Sequence, residues 1–276
     1  MKFTNLKLCA GILITCLVFD CALSAYIGVW REAFWSSVQQ KNLYEFIWLL
    51  VKFTGAALVL CVTNGLAGYY MNYTALAYRR ILTRRCWKHG LKDIEGRAQR
   101  IQEDCMTYPQ LTIGLTYGLV NNLVTLIAFM VIIGVALPAK YLFIPILYAI
   151  IGTYLAHKIA KPLINLNYFN QVKEAAFRAL LTRKAYVEAH MNNYKLFMAT
   201  KRLTYFQSFY AQITVIVPYI LLAGAYFGLQ ITFGVFMQCS SAMQTIIDSL
   251  SYFVKSFDNI NRWLSCRKRL SELHLI

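Results

Sequence analysis

Charge is what this chain has least of. Only 14% of its 276 residues are Asp, Glu, Lys or Arg, against about 25% in soluble domains. Hydrophobic residues make up 58%, and the mean hydropathy is +0.47. That balance excludes disorder, a secreted disulfide scaffold and a small cytosolic enzyme. Acidic residues are scarcer still, 12 against 28 basic ones, for a net charge of +16. So basic a chain would suit nucleic acid, but its charges avoid long apolar stretches whose natural solvent is lipid, and no nucleic-acid partner is expected. Motifs that carry chemistry are also missing. There is no GxxxxGK[ST], no GxGxxG and no HExxH, and the dipeptide Gly-Lys occurs nowhere. His89, His157, His190 and His274 are scattered, and the eight cysteines form no CxxC pair. No metal, cofactor or catalytic group is expected, and the cysteines read as small packing residues.

What is abundant is apolar sequence in runs. A helix needs about 20 apolar residues to cross roughly 30 Å of hydrocarbon. Six segments qualify as spans: approximately 8–30, 46–70, 111–137, 141–157, 210–228 and 231–254. The fourth is short, and the sixth carries Gln238, Gln244 and Asp248. The fold class is therefore all-α and integral to a membrane, with residues 1–276 forming a single transmembrane domain and no nucleotide-binding domain among them. Lys2, Lys7, the apolar run after them and Ala22–Ala25 also resemble a secretory signal. The apolar character running on through Tyr26–Trp30 favours a span instead.

Basic residues orient the spans. Residues 71–110 hold 8 basic and 4 acidic side chains, and 158–209 hold 9 and 2. With the N-terminal lysines and the C-terminal stretch, 24 of the 28 basic residues fall on one side of a six-span chain. Positive loops stay cytoplasmic, so both termini and both long loops are expected there. The opposite connections, Arg31–Glu45, Pro138–Lys140 and Leu229–Gln230, are brief. Forty and 52 structureless residues would be uncommon, so stretches 71–110 and 158–209 are expected to be helical extensions into the cytoplasm.

With so few acids, each one is informative. Asp20 and Asp248 fall inside spans, and Glu95, Glu103, Asp104 and Glu174 in the cytoplasmic extensions. Ionisable groups at membrane depth are costly and often mark ion or proton paths. These six are the candidate proton-coupling groups. Against that, Asp20 near the outer interface would be solvated, and Asp248 would pair with Lys255, two turns along. The stretch Ile94–Asp104 alone reads as a solvated turn with Arg–Glu pairs at helical spacing.

That stretch does not stand alone. Ile94–Cys105 (IEGRAQRIQEDC) resembles the cytoplasmic-loop signature of the SbmA/BacA peptide-antibiotic transporter family, and is similar to type-D ATP-binding-cassette membrane domains. Three more blocks fall in the family's order. Val29–Trp35, with Gln39–Phe46, resembles its outer-loop block, and Asn170–Arg178 its second cytoplasmic-loop motif. Ile231–Phe253, running on to Trp263 and Arg269–Leu270, resembles its last transmembrane helix. Arg97, Gln99, Arg100, Phe177, Arg178, Gln244 and Trp263 occupy motif positions. One departure is that Arg178, Ala179 and Leu180 stand where SbmA-type members repeat a glutamate.

The resemblance implies an ABC exporter-type, six-helix half-transporter, domain-swapped into a homodimer around a cavity. It implies a bacterial inner-membrane carrier of antimicrobial peptides or similar bulky amphipathic solutes, coupled to protons through Glu95, Glu103 and Glu174. Its partners would be membrane lipids, a second copy and the peptide-like solute. Two alternatives stay open: the membrane subunit of a cassette transporter working with a separate ATPase, and a membrane scaffold that no longer transports.

Overall fold

The computed structural model describes residues 6–88, 97–138, 140–141, 143–155, 158–159 and 186–272. Every regular element among them is a helix: α1 (Leu6–Gln39), α2 (Leu43–Lys88) and α3 (Arg97–Ala136), α4 (Phe143–Leu155), then α5 (Tyr186–Phe227), α6 (Phe233–Leu250), α7 (Tyr252–Lys255) and α8 (Phe257–Glu272). Among the described residues, four stretches are long and apolar enough to cross a membrane: Leu8–Gln39, Leu43–Cys86, Gln102–Ala136 and Thr200–Phe227. α4 is apolar but covers only about 20 Å at 1.5 Å per residue.

The longest helices outrun any bilayer. α2, with 46 residues, is about 69 Å long, more than twice the hydrocarbon thickness. It carries the chain from the second apolar run through Arg79, Arg80, Arg84 and Arg85, and α3 brings it back from Arg97. Residues 71–88 and 97–110 are thus helical, as are 186–209. The Arg31–Glu45 stretch is also mostly helix, since α1 continues to Gln39.

Two tight reversals are written in backbone hydrogen bonds. After α1, Lys41 sits at φ 57°, with its N–H on the Val38 carbonyl and that of Asn42 on Ser37. Leu229 repeats this after α5 at φ 55°, its N–H on Tyr226 and that of Gln230 on Ala225. Both are Schellman closures, which satisfy orphan carbonyls and turn the chain within a few residues. New helices start at once. Asn42 accepts from the Glu45 N–H at 3.3 Å and donates to its carboxylate, and Thr232 accepts from Val235, capping α2 and α6.

The packing has two centres. Phe129, Ile133 and Leu137 meet Leu222 of α5 and Cys239, Ala242, Met243 and Ile246 of α6 in one buried cluster. At the other end Leu82, Cys86, Cys105, Tyr108, Cys266 and Leu270 join α2, α3 and α8. α1, α3 and α6 pack mutually and α2 lies against α1 and α3, whereas α5 leans on α6 and carries α4 against its side. There Tyr148 and Tyr210 stack at 4.9 Å. A Cβ at Gly152 would fall 2.1 Å from the Tyr210 ring, so any larger residue there must displace that ring. Large apolar side chains such as Ile14, Leu58, Ile127 and Ile220 remain more than half exposed, as lipid-facing surfaces do.

Candidate functional site

Three polar centres interrupt the apolar bundle, and each contains one of the acids singled out in the sequence. The first is Asp20, in the middle of α1 and buried at 8% exposure. Its carboxylate takes a hydrogen bond from the Thr63 hydroxyl of α2. The Thr63 oxygen also lies 3.1 Å from the Leu60 carbonyl. Asp20 is therefore not solvated at an interface. It joins α1 to α2 within the apolar layer, and its charge reaches the buried phenol of Tyr117 on α3. Among the described residues Asp20 forms no ion pair.

The second centre lies where α6 gives way to α8. Ser251 (φ −83°, ψ 8°) and Ser256 (φ −91°, ψ 5°) make two joints in an otherwise helical rod. Asp248 and Lys255 bridge the first joint at 2.7 Å, so the partner suggested by their spacing is in place. The Ser251 hydroxyl is 2.9 Å from that of Tyr210, and the Tyr148 hydroxyl donates to the Tyr210 carbonyl and meets Thr214. Tyr252 donates to the Leu115 carbonyl at 2.8 Å, fastening the jointed segment to α3. Gln244 is partly exposed one turn above Asp248.

The third centre clamps α8 onto the start of α3. Arg269 grips Asp104 with two bonds, Nε to Oδ2 at 2.9 Å and Nη2 to Oδ1 at 2.7 Å. Such forks are the strongest protein ion pairs. Asp104 keeps 4% side-chain exposure and Arg269 30%. The bonds to Asp104 hold the guanidinium proton tighter and raise its pKa against the opposing effect of burial. Beside them burial, with the Asp104 charge adding, pushes the Cys266 thiol up to about 11. Trp263 donates to the Thr112 hydroxyl at 2.8 Å and stacks on Tyr108 at 6.0 Å. Cys86 and Cys105 approach to 3.8 Å within this cluster. Every third or fourth residue of α8 (Trp263, Cys266, Leu270) faces inward, while Arg262, Arg267 and Lys268 face out.

The four described acids do not converge on one site. Asp20, Asp104 and Asp248 occupy separate centres, and Glu103 is exposed on α3. Glu95, Glu174, Phe177 and Arg178 lie outside the described residues, and Arg97, Gln99 and Arg100 are on the first turn of α3 with side chains outside them. Sequence reasoning missed Thr63 and Arg269 as partners. Their links to the acids span 43 residues for Thr63 and 165 for Arg269, distances over which one sequence carries no pairing signal.

With this geometry in hand, comparison with known proteins is specific. The model of the SbmA/BacA-like family matches residues 6–275. The chain is similar to ABC transporter D family member 2, chloroplastic, of Arabidopsis thaliana, at 26% identity over 87% of this chain and 38% of that protein. It is also similar to the inner membrane ABC transporter ATP-binding protein YddA of Escherichia coli, at 25% identity over 91% of this chain and 54% of that protein. The chain thus spans about half the length, or less, of these relatives.

Proposed function

This chain belongs to the SbmA/BacA-like family, and from that membership we propose that it is a proton-coupled carrier of peptides or similar bulky amphipathic solutes. That it is a membrane transporter follows from the family and its ABC-type relatives. The finer reading has six crossings in each of two copies, in an inner bacterial membrane with both termini cytoplasmic. The observation that carries it is the family match across residues 6–275, which takes in every polar centre described above.

Donor counting supports Asp20 as a protonatable group. Thr63 has one hydroxyl proton and two acceptors, the Asp20 carboxylate and the Leu60 carbonyl. An ionised Asp20 competes for that proton. A protonated one donates to the Thr63 oxygen and frees the hydroxyl for Leu60, so both states have a bonded arrangement. An acid that exchanges partners in this way, buried and without a cation among the described residues, suits loading and release of a proton. Asp248, already paired, is the coupling candidate at the Ser251 joint, since protonating it releases Lys255. Asp104, held in a fork, acts as a clamp that positions α8. Glu95, Glu103 and Glu174 remain the proposed loop groups.

The test is uptake of a labelled antimicrobial peptide into proteoliposomes carrying the purified chain, with an imposed pH gradient and with ATP present or absent. Gradient-dependent, ATP-independent uptake that falls at least tenfold in Asp20→Asn is the expected result. A second reading, the membrane part of a cassette transporter, is favoured by relatives of which this chain matches only 38% and 54%. Uptake that needs ATP and a co-purifying ATPase would establish it in place of proton coupling. Absence of uptake under both conditions would leave the scaffold reading.

A further inference from the structure

The residue that none of these three centres uses is Arg31. It lies half-buried on α1, eight residues before Gln39, at the end of the bundle with the short reversals. Among the described residues it makes no hydrogen bond or ion pair, although Glu32 is next in sequence, and its electrostatic neighbour is the Tyr219 phenol of α5. Here α6 stands between α1 and α5. α1 and α5 each pack on α6 and hardly on each other. α1 comes so close to α6 that a Cβ on Gly234 would sit 2.4 Å from the Glu32 carbonyl.

A run of aromatic rings links α1 to α5 across α6. Trp35, one turn from Arg31 on the same face of α1, meets Phe233 at 5.8 Å. Tyr226 of α5 contacts Phe233 at 6.0 Å and Phe236 at 4.9 Å, and Tyr219 meets Phe236 at 5.8 Å. A partly desolvated guanidinium without a counter-ion is costly unless an anion completes it. Its planar fork matches a carboxylate. Aromatic walls accept a flat or apolar body beside the charge.

Resting on the transporter reading above, we propose that Arg31 is the anion-recognition residue of a cargo groove between α1 and α5, binding the carboxylate of an amphipathic solute whose apolar part lies against Trp35, Tyr219, Tyr226, Phe233 and Phe236.

The test is binding, not transport. The full chain in phosphatidylcholine nanodiscs is titrated with a dansylated apolar tetrapeptide carrying a free C-terminal carboxylate, and with its C-terminal amide. The carboxylate peptide should bind about tenfold tighter or more, the scale of a hydrogen bond to a charged group. Arg31→Gln should abolish the difference, and Arg31→Lys should keep part of it. The wild-type pair of peptides makes the comparison even where a variant folds poorly. Equal binding of the two peptides overturns the proposal, as does a preference that survives in Arg31→Gln. A preference lost when phosphatidylglycerol is added assigns the groove to lipid phosphate and overturns it too. Proteoliposome uptake without carboxylate preference would sink this site and leave the transporter, whereas selective binding without uptake would do the reverse.

Discussion

Removing Arg269 would strand the Asp104 carboxylate, 4% exposed on its side chain, without the two bonds that now neutralise it. Breaking a fully buried pair costs about 3–5 kcal/mol. Arg269 keeps 30% exposure, so about 2–3 kcal/mol is the better expectation for Arg269→Gln, seen as a lower unfolding temperature in detergent. Asp104→Asn should cost a similar amount, and the double variant clearly less than the two together, because each single change already breaks the fork. Additive losses would show that the fork contributes nothing. Cys266 gives the same cluster a pH signature. Its folded thiol titrates at about 11 rather than the ordinary 9.0, so between these values the unfolded chain sheds a proton that the folded chain keeps. Its stability contribution is therefore full below pH 9 and is lost as pH rises toward 11. The unfolding temperature should fall across that window, with a shallower slope in Cys266→Ala.

At the scale of elements, α6 depends on a missing side chain. A Cβ on Gly234 would lie 2.2 Å from Ser36 Oγ and 2.4 Å from the Glu32 carbonyl. The hydroxyl can rotate away, but the backbone oxygen cannot. Gly234→Ala should therefore push α6 from α1 and cost about 1–3 kcal/mol, the usual penalty of overpacking. An unchanged unfolding temperature would count against so close an approach. Which elements the sequence made legible follows from the same physics. Apolar length and basic loops reveal long helices because lipid and water sort residues by composition alone, and residues 71–88 of α2 and 186–209 of α5 are helical. The partnerships of Asp20 and Asp104 stayed hidden, since composition carries no record of which distant residues a fold brings together. Lys255 was found because seven residues make two turns. The joints at Ser251 and Ser256 were invisible, as neither carries a proline or glycine to mark it.

For the whole molecule, the question is what covers α5. Its apolar window opens at Thr200, yet Tyr194 and Phe197 lie before that point at 65% and 66% exposure. Lipid shields exposed rings within the apolar window, such as Phe209, but not rings on a helix that has run past that window. Large apolar side chains left outside both lipid and core mark a protein contact. α5 leans on α6 with α4 against its own side, outside the packing of α1, α2 and α3, and in the homodimer we propose this arm would lie against a second copy. Light scattering of the purified protein, corrected for detergent, should then give twice the 31.7 kDa of one chain. Replacing Tyr194 and Phe197 together by Glu should shift it toward a single chain while the helical circular dichroism stays unchanged. A wild-type particle containing one chain would leave those rings unexplained, and the cavity would then have to be built by one copy alone.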